Sequence, residues 1–358
     1  MLQIPGLTQR KTLYMNRIYT SAMALSVCLL SLLLFSCSHK EPAQTTVLTE
    51  ADTIGHYKDM DSLPIGRADD TITEGCLVLE GGGWRGLFTV GVLDALMMNG
   101  INLRDTVGIS AGALSGLGYV AGQIGWGVRV DLTYRHDSRY CGFRAVVKEG
   151  GIMGYNYLRN GIMKELPLDK KKIKESPRRL AVGATNMLTG EIEYFEKDKG
   201  NFWKATTASA SVPYFSRPVM IKGVPYLDGA CAEKIPYPWA EENGEKKIIV
   251  VKTREREYRR KEKGKLSLAR HMYHDFPKFV ESLETVNHKF NVMAEQLEEE
   301  ERKGNILILA PSEKVTVSKF EGNMEKLGDL YWQGFNCVCR ELDRIGDYLK
   351  EDVKKVQD

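Results

Sequence analysis

Uninterrupted apolar runs, each too short for a helix, recur along the middle of the chain. Cys76-Leu77-Val78-Leu79-Glu80, Arg179-Leu180-Ala181-Val182-Gly183-Ala184-Thr185 and Lys247-Ile248-Ile249-Val250-Val251 read as strands buried on both faces. Between them the period changes. Leu87 to Met98 predicts a helix that is apolar on most sides, ended by Asn99-Gly100, and Ala111 to Gly122 predicts a helix of small residues. Val219-Met220-Ile221 and Val224-Pro225-Tyr226-Leu227 flank Lys222-Gly223 as a hairpin. Further on, Leu283, Val286, Phe290, Met293 and Leu297 step by three and four, as do Leu327, Tyr331, Phe335, Val338, Leu342, Ile345 and Leu349, which predicts two amphipathic helices. Ile306-Leu307-Ile308-Leu309 before Pro311 predicts one more strand between them. Strands alternating with helices imply an α/β fold with a largely parallel central sheet, whose ligand site lies beyond the strands' carboxyl ends.

The N-terminus follows another pattern. Ile18 to Phe35 is apolar apart from small polar residues, with Arg10, Lys11 and Arg17 before it and Leu34-Phe35-Ser36-Cys37 after it. A basic start, an apolar stretch and a small residue before a cleavage point make a secretory signal, and the final four residues resemble a bacterial lipobox. That resemblance implies cleavage after Ser36, acylation of Cys37 and a membrane-anchored lipoprotein of the bacterial envelope. An uncleaved membrane helix is the alternative. The expected organisation is therefore a signal peptide (1–36), a polar tether (37–74), a catalytic domain (75–255) and a mainly helical C-terminal region with one added strand (256–358).

Composition narrows the classes. The 358 residues carry a formal charge of +3, and the three basic residues of the leader account for all of it. A nucleic-acid binder needs a net basic face, so nucleic acid is not an expected partner. Seven cysteines show no CxxC pair and no Cys/His ligand spacing, and no D-x-D-x-D-G loop occurs, so neither zinc nor calcium is expected. Arg254 to Lys265 is rich in Lys and Arg but interspersed with Glu255, Glu257 and Glu262; it reads as a solvated face or as a patch meeting anionic headgroups.

Two glycine motifs carry the candidate chemistry. Gly81-Gly82-Gly83-Trp84-Arg85-Gly86 joins a strand to a helix and offers bare backbone N–H groups to negative charge. A dinucleotide site begins similarly, but Asp105 falls before the next strand instead of at its end, where a ribose would need it. Gly108-Ile109-Ser110-Ala111-Gly112 is G-x-S-x-G in the context of a nucleophile elbow, with Gly108 and Gly112 small so that strand and helix approach and Ser110 is thrust outward. The N–H groups of Gly82, Gly83 and Ala111 could receive an oxyanion, with Arg85 steadying the loop or adding potential. Ser110 needs a base. His271, His274 and His288 are the late histidines, and none sits at a strand-end turn. Asp228-Gly229-Ala230 does: the strand end aims the carboxylate and the small residues keep its approach open.

Gly81-Gly82-Gly83-x-Arg85-Gly86, Gly108-x-Ser110-x-Gly112 and Asp228-Gly229-Ala230, in this order, resemble the patatin-like phospholipase family over roughly residues 75–255. Thr207-Ala208-Ser209-Ala210-Ser211-Val212-Pro213 resembles the family's small-residue segment before its second hairpin, and Tyr119 to Gln123 and Val251 to Arg254 resemble a bacterial subgroup with an added C-terminal region. Glu80 stands where many members carry Asp, with little effect expected. The resemblance implies a three-layer α/β/α lipid acyl hydrolase with a Ser–Asp dyad, Ser110 as nucleophile and Asp228 as proton acceptor. Gly82, Gly83, Arg85 and Ala111 would form the oxyanion hole, with no cofactor or metal. The implied partners are a lipid or phospholipid substrate and the membrane surface; no protein partner is implied. A noncatalytic lipid-binding protein on the same scaffold, and a His-dependent hydrolase, are the competing readings.

Overall fold

A computed structural model describes residues 57–350; the signal peptide, Cys37 and the start of the tether lie outside the described residues. The strands that matter are β1 (Thr73–Leu79), β2 (Leu103–Ile109), β3 (Arg179–Asn186), β4 (Ile192–Glu196), β5 (Val219–Ile221), β6 (Val224–Asp228), β7 (Ile248–Val251) and β8 (Ile306–Leu309). The helices are α1 (Gly86–Met98), α2 (Ala111–Val120), α3 (Trp126–Tyr134), α4 (Phe202–Ser209), α5 (Pro277–Arg302) and α6 (Met324–Lys350). Sheet order is β8-β7-β1-β2-β3-β6-β5, with β4 on the other edge of β3. The five strands from β8 to β3 are parallel.

Inside each apolar run the two faces separate by strict alternation. Leu77, Leu79, Ile249, Val251, Leu307 and Leu309 enter one core with α1, α2 and α6. Cys76, Val78, Ile248, Val250, Ile306 and Ile308 enter the opposite one, under Trp239 and the Phe290 face of α5. The C-terminal strand and helices thus share both cores with residues 75–255. All five described cysteines, at 76, 141, 231, 337 and 339, are free thiols.

One topological detail builds the site. β2 lies along β3 as far as Ile109 opposite Gly183, and β6 comes from the other direction along the same edge, reaching Asp228 opposite Ala184. β4 occupies the other edge over those residues. The carboxyl ends of β2 and β6 therefore meet head-on, and the next residue of β2's chain, Ser110, arrives beside Asp228. The β5–β6 hairpin that delivers Asp228 turns at Lys222 (φ 48°) and Gly223 (φ 83°), the paired positive φ that matches strand twist.

The polar tether expected through residue 74 does not extend over 57–74. Tyr57 is buried against α6, its hydroxyl accepting from Trp332 Nε1 at 3.1 Å, and Leu63 is buried as well. Gly66–Arg67 pairs with Gln123–Ile124. A window average of polarity hides two anchoring side chains, and backbone pairing, with Ala68 N–H donating to Gly122 O at 2.9 Å, adds to their hold on the segment. Asp105, expected before the second strand, lies within β2, 3.7 Å from Arg179. The basic run is neither a solvated face nor a free patch over its arginines: Arg254 donates to Val315 O (2.6 Å), Arg259 to Glu298 (2.9 Å), and Arg256 pairs with Glu301.

The apolar α1 also buries a carboxyl. Asp94 accepts from Gly125 N–H (2.9 Å) and from the Tyr331 hydroxyl of α6 (3.0 Å). Burial raises its pKa to about 7 against those two hydrogen bonds. The folded protein holds this proton through a pH range in which the unfolded chain has released it, so stability is greatest below the ordinary carboxylate pKa and falls as pH rises toward 7, by at most about 4 kcal/mol. Asp94→Asn, which keeps an acceptor for Gly125, is expected to gain about 1–3 kcal/mol over the wild type at pH near 8 and little at pH near 4.5. Urea unfolding at the two pH values measures it.

Candidate active site

The end of β2 cannot turn into α2 with side chains at its glycines. A Cβ on Gly112 would sit 2.5 Å from Leu79 O, and one on Gly108 2.5 Å from the Gly112 carbonyl carbon. Both obstacles are backbone and cannot swing aside. Between them Ser110 takes φ 56° and ψ −119°, a left-handed conformation that a non-glycine residue holds only when its surroundings fix it. Its N–H donates to Ser209 Oγ (2.9 Å), which accounts for a small polar residue at the end of α4.

Ser110 Oγ donates to Asp228 Oδ2 at 2.9 Å, and both residues are buried. Asp228 Oδ1 accepts from Ala230 N–H (2.8 Å), and the Asp228 N–H is held by Ser211 O (2.9 Å). Burial raises the Asp228 carboxyl above the ordinary carboxylate range; the hydrogen bonds from Ala230 and Ser110, then the ammonium groups of Lys319 and Lys234, pull it part of the way back. A carboxylate so placed is a better base than one in water.

The glycine loop faces this pair. Gly81, Gly82, Gly83 and Gly86 line the same cavity as Ser110, Ala111, Asp228 and Ala230. Gly81 N–H is bonded to Lys234 O (3.2 Å), which ties the loop to the Asp-Gly-Ala turn. Among the described residues, the N–H groups of Gly82, Gly83 and Ala111 have no acceptor. Gly229 lets the turn close: a Cβ there would lie 2.3 Å from Gly183 O. Away from the loop the cavity wall is mainly apolar, with Val90, Leu114, Trp126, Val130, Met153 and Leu158, and it includes Asp131, which accepts from the Tyr140 hydroxyl at 3.1 Å.

Two expected residues behave differently. Arg85 is buried and does not line the cavity; burial, and then Arg254, push its guanidinium down to about 10. Glu80, where Glu in place of the family's Asp is expected to have little effect, is wholly buried and accepts from Thr253 N–H at 2.7 Å, pinning the start of the loop to the chain just past β7. His271, His274 and His288 are all exposed and away from the cavity. The sequence reading missed Lys234, Arg260 and Lys319, which line the cavity beside Asp228, and Tyr155, whose hydroxyl donates to Ala210 O at 2.8 Å. Only Lys234, six residues past Asp228, carried a positional hint.

Residues 77–240 match the family described as patatin-like phospholipase, and residues 276–350 match a domain of unknown function, DUF6363. The uncharacterized protein YjjU of Escherichia coli (strain K12) is 30% identical over 182 residues, covering 49% of this chain and 51% of that protein. The chain thus spans about half the length of this curated relative. Among solved structures, VipD from Legionella pneumophila superposes with a TM-score of 0.40 and 13% identity, over 79% of this chain and 70% of that chain.

Proposed function

Residues 77–240 are a patatin-like phospholipase domain, and on that premise we propose that the chain is a serine lipid acyl hydrolase working through a Ser110–Asp228 dyad. The observation that carries the proposal is the 2.9 Å hydrogen bond from Ser110 Oγ to a buried carboxylate. It lies in a cavity whose far wall is mainly apolar, beside N–H groups that the protein leaves without acceptors. In this reading the acyl chain lies along Trp126, Val130 and Leu158. Ser110 Oγ attacks the ester carbonyl carbon while its proton passes to Asp228 Oδ2. The carbonyl oxygen takes the negative charge and accepts from Gly82, Gly83 and Ala111; donors aimed at that oxygen lower such barriers by several kcal/mol, on the order of 3–4 for one donor. Collapse breaks the bond to the alcohol oxygen, which leaves with the proton from Asp228. Water then attacks the acyl-Ser110 ester, giving a proton to the same carboxylate; the bond from the acyl carbon to Ser110 Oγ breaks, the fatty acid leaves, and Oγ takes the proton back from Asp228.

The proposal extends to location, with an acyl chain on Cys37 holding the enzyme at the bacterial envelope. One experiment addresses both. Envelope fractions from cells producing the wild type, Ser110→Ala and Cys37→Ser are incubated and their lipids analysed by mass spectrometry. Free fatty acid and deacylated lipid are expected with the wild type and not with Ser110→Ala, and a clickable fatty acid fed to the cells is expected to label the wild type and not Cys37→Ser. Identical lipid profiles for wild type and Ser110→Ala reject the hydrolase and favour a lipid-binding role; a wild type that takes up no label, or label that persists in Cys37→Ser, rejects the anchor.

A further inference from the structure

The C-terminal region reaches the catalytic cavity at Arg260 and through a segment that carries Lys319 and Phe320. Between β8 and α6, residues 310–323 cross the glycine loop closely enough that a Cβ on Gly83 would lie 3.1 Å from Lys319 O. The strap is pinned on both sides. Arg254 donates to Val315 O (2.6 Å) on one side. On the other, Arg135 Nη2 donates to Phe320 O (2.9 Å) and His136 Nε2 lies 2.9 Å from Gly322 O. The Phe320 ring packs edge-on against Phe215, with centroids 5.5 Å apart, and Val315 and Val317 are buried in the core. Such a strap presents its residues in a fixed geometry, without ordering them at the moment of binding.

It presents Lys319 to the cavity, where Arg260 and Lys234 also point. Lys234 Nζ is held by Ala230 O at 2.8 Å. Among the described residues neither lysine has a salt-bridge partner. The Arg260 guanidinium stands 3.6 Å from Glu80, and its buried Nε has no hydrogen-bond partner. Burial, then the charges of Arg260 and Lys319, weaken the hold of Lys234 on its proton. Three cations face the Asp228 carboxylate, which acts on both lysines but leaves positive charge in excess; a further anion between them offsets their mutual repulsion and gains charge-assisted hydrogen bonds. In a glycerophospholipid the phosphate is only a few bonds from the ester carbonyls, so a lipid with its ester at Ser110 brings its phosphate into this part of the cavity.

We propose that the strap completes a headgroup subsite in which Lys319 and Arg260, with Lys234, select lipids of net negative charge over zwitterionic and neutral ones. The inference rests on the ester-hydrolase reading of Ser110 and Asp228, and it gives the C-terminal region a role in substrate choice.

Binding is measured in the Ser110→Ala full chain, so that no turnover is needed. Trp84 and Trp126 line the cavity, and their fluorescence reports occupancy. The probes are dihexanoyl phosphatidylglycerol, dihexanoyl phosphatidylcholine, dihexanoylglycerol and inorganic phosphate, each kept below micelle formation. Phosphatidylglycerol is expected to bind at least about tenfold more tightly than the other two lipids, and Lys319→Ala in the same background to bring all three within about threefold. Lys319 is exposed at the rim, so its substitution leaves the fold intact; Arg260→Gln is expected to act likewise, with its melting temperature checked because Arg260 faces Glu80. Equal affinity for the three lipids overturns the proposal, as does a preference that survives both substitutions. Phosphate binding as tightly as phosphatidylglycerol would assign the cations to the free anion and overturn the lipid part. Failure of the hydrolase reading shows separately, as a wild type that binds these lipids and cleaves none of them.

Discussion

Asp228→Asn is expected to lower kcat/KM for ester hydrolysis by about 10²- to 10⁴-fold, the range that a positioned general base supplies. Asparagine keeps an oxygen for the Ala230 N–H and nearly the same volume, so the turn that holds residue 228 persists. What it cannot do is take the Ser110 proton. The wild-type pH profile carries the same signature. The carboxylate is the active form, and burial lifts its pKa, so activity is present above that raised value and is lost as pH falls through it. The acid limb should therefore lie above the ordinary carboxylate pKa of about 4. In Asp228→Asn that limb should vanish along with most of the rate. Kinetics on a soluble ester across pH, with the extent of folding checked by circular dichroism, decide the matter. Activity within about threefold of the wild type would place the base elsewhere, and the triple variant His271→Ala, His274→Ala, His288→Ala would be the next to examine.

Gly334→Ala is expected to destabilise the protein by about 2–3 kcal/mol and to slow labelling of Ser110 by a fluorophosphonate. α1 and α6 touch backbone to backbone at a reciprocal pair. A Cβ on Gly334 would fall 2.0 Å from Phe88 O, and a Cβ on Gly91 2.0 Å from Tyr331 O. In an exposed helix, Gly to Ala would gain about 1 kcal/mol. Here the overlap is with main chain, so the helices must separate, stretching the Tyr331–Asp94 hydrogen bond between them. Overpacking of that kind exceeds the propensity gain. α1 starts at Gly86, where a Cβ would lie 2.7 Å from that of Ala111, so a displaced α1 disturbs the elbow as well as the core. Thermal unfolding and labelling rate are the two readouts. A melting temperature at or above that of the wild type would show that the crossing has slack.

Much of this was legible along the chain because it is local. An uninterrupted apolar run too short for a helix and bounded by turn residues reads as a doubly buried strand, and the strict alternation of Cys76, Leu77, Val78 and Leu79 between two cores follows from strand geometry. The elbow was equally readable, since the two glycines that permit it lie two residues on either side of Ser110. The stripe of the last helix was read slightly off: Gly334, Cys337 and Tyr348 are buried with it, while Phe335 and Leu342 are only half-buried. A hydrophobicity count cannot see a glycine that serves as a contact. The docking of Tyr57 and Leu63 escaped for a related reason, because burial of a single side chain depends on what lies opposite it.

What the sequence by itself determined is thus the set of parts: the parallel strands, the small-residue turn that exposes Ser110, the hairpin that ends at Asp228, and two amphipathic C-terminal helices. Only the tertiary structure decided how they meet. β2 and β6 share one edge of β3 and abut, which sets a serine and a carboxylate 118 positions apart at 2.9 Å. The cations at residues 234, 260 and 319 converge on that pair from three separate segments. Chain order fixes dihedral preferences and burial periods over a few residues, whereas the company a charged side chain keeps is set by which strand ends and straps the completed sheet brings together.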